Sequence, residues 1–155
     1  MVLTGRERFL QHLGGSSTIS VNELKEYLGT VPGGTTSTSD TIIKIVSTIS
    51  ISGHKVVVQS AGILGLADSS NVNHINKVVG ITVDAVSPGA EANIQFRGYM
   101  DEPSWNWTLD LPIFVGLNGV LTQVVPVSGF SQQLATVISS TRILINIQEP
   151  IQIGD

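Results

Sequence analysis

Trp105 and Trp107 are the only two tryptophans among 155 residues, and they stand two apart in W-N-W. On an extended strand, side chains at i and i+2 share a face. The pair could then present two coplanar indoles for stacking on sugar rings, with Asp101, Asn106 and Asp110 as hydroxyl partners. The competing use is burial, because tryptophan dominates core and interface energetics. Burial in a core or subunit contact is the favoured reading.

Other residue types offer less chemistry. Asp101 and Glu102 are adjacent, so on an extended chain they point opposite ways. Acid–base catalysis needs two carboxylates converging across a substrate, and Asp84, Asp101, Glu102 and Asp110 converge only if tertiary folding brings them together. His12, His54 and His74 fall in a helix, a hairpin and a loop, and none has a His, Asp or Glu partner at zinc-pair spacing. There is no cysteine, hence no thiolate metal site or disulfide. Neither a G-x-S-x-G nucleophile elbow nor a glycine-rich phosphate loop occurs. The sequence predicts no catalytic, metal-binding or cofactor-binding residues, and a protein that is not an enzyme.

Composition narrows the partners. Charged residues make up 13%, about half the usual share, and Ser, Thr, Asn, Gln and Gly fill the gap. Extended β chains with so little charge are poorly protected at their edges, which favours burial against copies of the same chain. The formal net charge is −4 and the eight basic residues are scattered, so no nucleic-acid footprint is expected. The N-terminal MVLTGRERFLQHL carries charges where a signal peptide needs its apolar region. No stretch reaches the roughly 18 consecutive apolar residues of a membrane helix. A protein made in a reducing cytoplasm, with no membrane partner, fits these features.

Two elements differ from the rest. Thr4-Gly5-Arg6-Glu7 has capping-box spacing, followed by Phe9, Leu10 and Leu13 on one helical face and then Gly14-Gly15. Ser20-Val21-Asn22-Glu23 repeats the signal, with Val21, Leu24, Tyr27 and Leu28 behind it and Gly29 as a C-terminal cap. Residues 1–29 are thus expected to be two short amphipathic α-helices, each too short for independent stability, which dock either on the chain's own β domain or, as an anchor, on another protein or on copies of themselves. Residues 30–40 (TVPGGTTSTSD) have linker composition.

From Thr41 the period becomes that of strands, over a predicted β domain of residues 41–155. IIKIVSTISI and HKVVVQS are expected to form a hairpin around Gly53. Ala61 to Asn76 reads as less regular, with the Asp68-Ser69-Ser70-Asn71 cluster giving a loop. KVVGITVDAV reads as a strand with Gly80 marking a bulge or a close backbone approach. In AEANIQFRG, Ala92, Ile94 and Phe96 alternate with Asn93, Gln95 and Arg97, as a half-buried strand should. Asn118-Gly119 between LPIFVGL and VLTQVVP is a strong type I′ hairpin signal, and LATVIS and RILINIQ close the chain. The expected fold is mainly β, an antiparallel β-sandwich or barrel-like domain preceded by the two helices and the linker.

The series VVGITVDAVSPGAEANIQFRG, then WNWTL with LPIFVGLNGVLT, then LATVISSTRILINI, resembles a β module that recurs in tailed-bacteriophage head fibres, capsid decoration proteins and some tail-fibre segments. The resemblance spans about Asn76 to Ile147. Leu111 departs from it where the module often has glycine before the proline, and Leu134-Ala135 departs in the closing strand. The resemblance implies a homotrimer on the virion, with the N-terminal part bound to the major capsid protein or another virion protein. Phe9, Leu10, Leu13, Leu24, Tyr27 and Leu28 would be the capsid-binding residues. The alternative it implies is a tail-fibre or baseplate module whose Trp105 and Trp107 read host-surface glycans.

Overall fold

The computed structural model describes residues 41–154; the two expected helices, the linker and the six candidate anchor residues lie outside them. The described chain is mainly β and antiparallel, with a sandwich-like arrangement of sheets and one short 3-10 turn, Val72–His74. The first five strands are β1 (Ile42–Val46), β2 (Val56–Ser60), β3 (Ile63–Leu66), β4 (Val78–Thr82) and β5 (Glu91–Gln95). They form one sheet in the order β1-β5-β4-β2-β3. A second sheet contains β6 (Arg97–Asp101), β7 (Pro112–Val115), β8 (Leu121–Thr122), β10 (Gln133–Ser139) and β11 (Arg142–Asn146), in the order β6-β11-β10-β7-β8. A small ladder pairs β9 (Phe130–Ser131) with β12 (Ile151–Gln152).

Two cores follow from the side-chain alternation. Val56, Val58 and Ile81 of the first sheet join Met100, Ile113, Val115, Leu134, Ile143 and Ile145 of the second in one cluster. Val57, on the opposite face of β2, packs with Ile51, Leu64, Val86, Ala92 and Ile94 in another. The first sheet is therefore buried on both faces at β2. That is why Val56-Val57-Val58 reads as a continuous apolar run and not as an alternation. The ends of β1 and β3 approach each other, so this sheet curls around its own smaller core.

The alternation in AEANIQFRG holds over most of its length. Ala92 and Ile94 are fully buried, while Phe96 is half-buried at the junction where the chain passes from the first sheet to the second. At Gly80 both expected features occur. The β2–β4 register slips there, with Val57 opposite Gly80 and Val58 opposite Val78. A Cβ on Gly80 would also lie 2.5 Å from the carbonyl oxygen of Gln95.

The hairpin expected around Gly53 does not form. The chain does turn at Gly53-His54, but β1 pairs with β5, Ile43 opposite Ile94, and not with β2. The true partner of β2 on one side is β3, through a two-residue turn at Ala61 (φ 49°) and Gly62 (φ 78°). The less regular stretch expected over Ala61–Asn76 therefore begins with a strand, while Asp68–Asn71 is a loop as expected. Local apolar runs identify β1 and β2, but the pairing is decided by which faces can be buried together.

Candidate functional site

The tryptophans line a cleft of about 380 Å³ whose other walls come from distant parts of the chain. One wall is the turn Gly53-His54-Lys55. His54 adopts a positive φ of 58°, a conformation unusual outside glycine and more tolerated by His than by most residues. Buried Thr82 holds this turn from three directions. Its backbone carbonyl accepts from His54 N at 2.7 Å, its hydroxyl oxygen accepts from Lys55 N at 2.9 Å, and that hydroxyl donates to the Ser52 carbonyl at 2.8 Å.

A second wall is the segment from Glu102 to Trp107. It lacks strand pairing, but burial still alternates along it: Trp105 and Trp107 are half-buried while Asn106 and Thr108 are exposed. Backbone bonds fasten it to the β10–β11 turn, Glu102 N to Thr141 O at 3.0 Å and Trp107 N to Ser140 O at 2.9 Å. Gln123 clamps its far end, accepting from Thr108 N at 2.9 Å and donating to Thr108 O at 2.8 Å.

The third wall is Val120 and Leu121, which follow the Asn-Gly turn. Asn118 (φ 49°) and Gly119 (φ 74°) have the two positive φ values of a type I′ turn. Gly119 also docks this hairpin on the first sheet: its carbonyl accepts from Val56 N at 2.9 Å, and its N–H donates to Ala67 O at 2.5 Å.

The indoles do not form a flat platform. Their centroids are 5.5 Å apart and their planes meet at 55°, because the segment that carries them is not a regular strand. Instead they make a corner, and the edge of His54 closes it, 5.2 Å from Trp105 at 70°. Both tryptophans pack against the larger core and are half-buried, so part of each ring is covered and part faces the cleft. Trp107 Nε1 is buried and meets no acceptor among the described residues.

Of the expected hydroxyl partners, Asp101, Asn106 and Asp110 are all absent from the cleft lining. Asp101 instead pairs with Arg142 across β6 and β11, through bonds of 2.7 and 3.0 Å. The carboxylate at the cleft is Glu102. Its Oε1 accepts from Ser104 N at 2.9 Å, and its Oε2 lies 3.4 Å from His54 Nδ1, both side chains being about one-quarter exposed. The backbone N–H and hydroxyl of Ser104, with a smaller contribution from His54, hold the Glu102 carboxyl below the usual carboxylate range. The site therefore presents an ionised acceptor beside an indole corner, with half-buried Lys55 also in the lining.

His74 belongs elsewhere. Its Nδ1 accepts from Asp68 N at 3.0 Å, which orders the Asp68–His74 loop. Among the described residues no group of three His, Cys, Asp or Glu side chains is placed to hold a metal ion.

A second concavity, of about 500 Å³, lies on the other side of the Asn-Gly hairpin. Leu117, Val120, Val124, Val125 and Val127 line it together with small polar residues, and no charged side chain takes part. Val124 and Val127 are 75% and 88% exposed.

No family model matches this chain, and no curated protein matches it.

Proposed function

We propose that this chain is a bacteriophage virion structural protein, a trimeric capsid decoration or head-fibre protein made in the host cytoplasm and carried on the capsid surface. Its N-terminal segment binds the major capsid protein or another virion protein, and its β domain projects. The observation that carries this reading is the uncharged apolar groove along Leu117–Val127. Contiguous exposed apolar surface marks an interaction site more often than a free face, and the low charge of the whole chain is what repeated self-contact requires. The resemblance of Asn76–Ile147 to a module of trimeric phage proteins supplies the stoichiometry. The expected helices bearing Phe9, Leu10, Leu13, Leu24, Tyr27 and Leu28, followed by the linker of residues 30–40, supply the anchor.

The test separates assembly from anchoring. Deletion of residues 1–40 is expected to leave a trimer by sedimentation equilibrium while abolishing retention on capsids of the parent phage. Val124→Asp with Val127→Asp in the full chain is expected to give monomers, because two buried carboxylates without partners oppose the contact. Persistent capsid binding by the deletion refutes the anchor, and a trimer unchanged by the double substitution refutes the groove as the subunit contact.

A further inference from the structure

We propose that the cleft between the Gly53–Lys55 turn and the Glu102–Trp107 segment binds a single pyranose ring of a glycan. This stands apart from the virion reading, since it shares only Val120 with the apolar groove and uses none of residues 1–40.

A pyranose presents an apolar C–H face and a rim of hydroxyls that both donate and accept. The cleft offers the complement of each. The tilted indoles provide a floor and a side wall, an arrangement that seats one ring and not an extended chain of them. Glu102 is an acceptor already oriented by Ser104 and His54, with its carboxylate ionised. Lys55 and Ser104 add donors to the lining. At about 380 Å³ the cleft falls within the roughly 300–1,000 Å³ of small-molecule sites.

Two other ligand chemistries fit less well. A purely apolar guest would cover charged groups without replacing their hydration. A quaternary ammonium would gain from the indoles and Glu102 but would sit beside Lys55. The walls are also fixed before any ligand arrives. Thr82 pins the His54 turn, the Ser140 and Thr141 carbonyls pin the tryptophan segment, and Gly119 pins the hairpin. Little ordering remains to oppose binding.

Both tryptophans of the chain line this cleft, so tryptophan fluorescence, excited beyond the tyrosine absorption band, reports on it. The full-length protein is titrated with methyl glycosides of glucose, galactose, mannose and N-acetylglucosamine, and separately with choline. At least one glycoside is expected to give a saturable spectral change with a Kd on the order of 1 mM, the range of a single small-ligand contact. Glu102→Gln, which keeps the shape and removes the charge, is expected to weaken it about tenfold by removing a charge-assisted bond.

Saturation-transfer NMR on Trp105→Ala, with its urea midpoint measured to establish folding, is expected to show no transfer to the ring protons of that glycoside. Trp105→Phe is expected to retain a weakened signal. Failure of every glycoside to saturate, a response to choline alone, or unchanged binding in Glu102→Gln overturns the proposal.

Discussion

Gly119 is the position where one methyl group should distinguish a turn requirement from a docking requirement. An alanine there must adopt φ near +74°, which costs about 1–2 kcal/mol for an L-residue. Its Cβ would also lie 2.8 Å from Leu66 Cδ2 and 2.9 Å from the Val56 carbonyl oxygen. The leucine can turn aside, but the carbonyl belongs to β2 and cannot. Relief therefore pulls the hairpin away from the first sheet, at a packing cost of about 1–3 kcal/mol. Gly119→Ala is expected to lose about 2–5 kcal/mol in total. The control is Gly62→Ala, which meets the same φ demand (+78°) with nothing within 4 Å of the new Cβ, so only the backbone cost of about 1–2 kcal/mol applies. Urea unfolding at matched protomer concentration measures both, with the midpoint shift read at constant slope. In melting temperature, at about 4 °C per kcal/mol for a domain of this size, Gly119→Ala falls by roughly 8–20 °C. Equal losses at Gly119 and Gly62 would refute the docking argument and leave the Asn-Gly pair as a turn and nothing more.

Two further outcomes follow from the bonds around the cleft and the outer edge of the second sheet. Thr82→Val removes the hydroxyl that accepts from Lys55 N and donates to Ser52 O; leaving those partly exposed groups without a protein partner is expected to cost about 1 kcal/mol in urea unfolding and to weaken glycoside binding by loosening the His54 turn. Hydrogen bonds from the Arg142 guanidinium hold the Asp101 carboxyl below its ordinary pKa, so the pair contributes stability above the unfolded carboxylate value near ~4 and loses it as pH falls through the folded value. Urea midpoints of wild type and Asp101→Asn are therefore expected to differ at pH 7, with the gap narrowing as the pH falls below the unfolded carboxylate value; a gap that stays constant through the acid range would refute the assignment.

Much of the backbone was legible because it is local. Asn118-Gly119 requires two positive φ angles, a demand the dipeptide states openly. Ala92 and Ile94 announce their shared face by period alone. Ala61-Gly62 turns the chain in the same way, but alanine is no turn signal, so a strand is hidden in what reads as a less regular stretch. β1 is misread for a different reason. A strand with apolar residues can pair with any neighbour that buries the same face, and here the choice fell on β5, far away in sequence.

The site was half legible. Trp105 and Trp107 stand out by type and spacing, whereas His54 and Glu102 meet only through packing of the two sheets. The adjacent Asp101 and Glu102 did diverge as expected of an extended chain: one bonds Arg142 across the sheet, the other turns toward His54. Asn106 and Asp110 are exposed and do not line the cleft.

The Asn-Gly hairpin connects the two surfaces, since Val120 belongs to the lining of both. On one side of it lies the apolar groove, on the other the indole cleft. A subunit contact through the groove would bury Val124 and Val127, which lie outside the cleft lining, so assembly would leave the cleft open. The consequence is a matter of valency. One pyranose held at about 1 mM is too weak to retain a particle, but in the proposed arrangement, with three clefts on a trimer and many trimers on a capsid, each further contact would become an intramolecular event. Weak single-site binding is therefore what a displayed domain needs: adhesion accumulates over copies while each contact remains free to exchange. The same logic ties the two proposals to separable measurements, because monomers produced by substitution in the groove should keep the millimolar affinity and lose only the avidity.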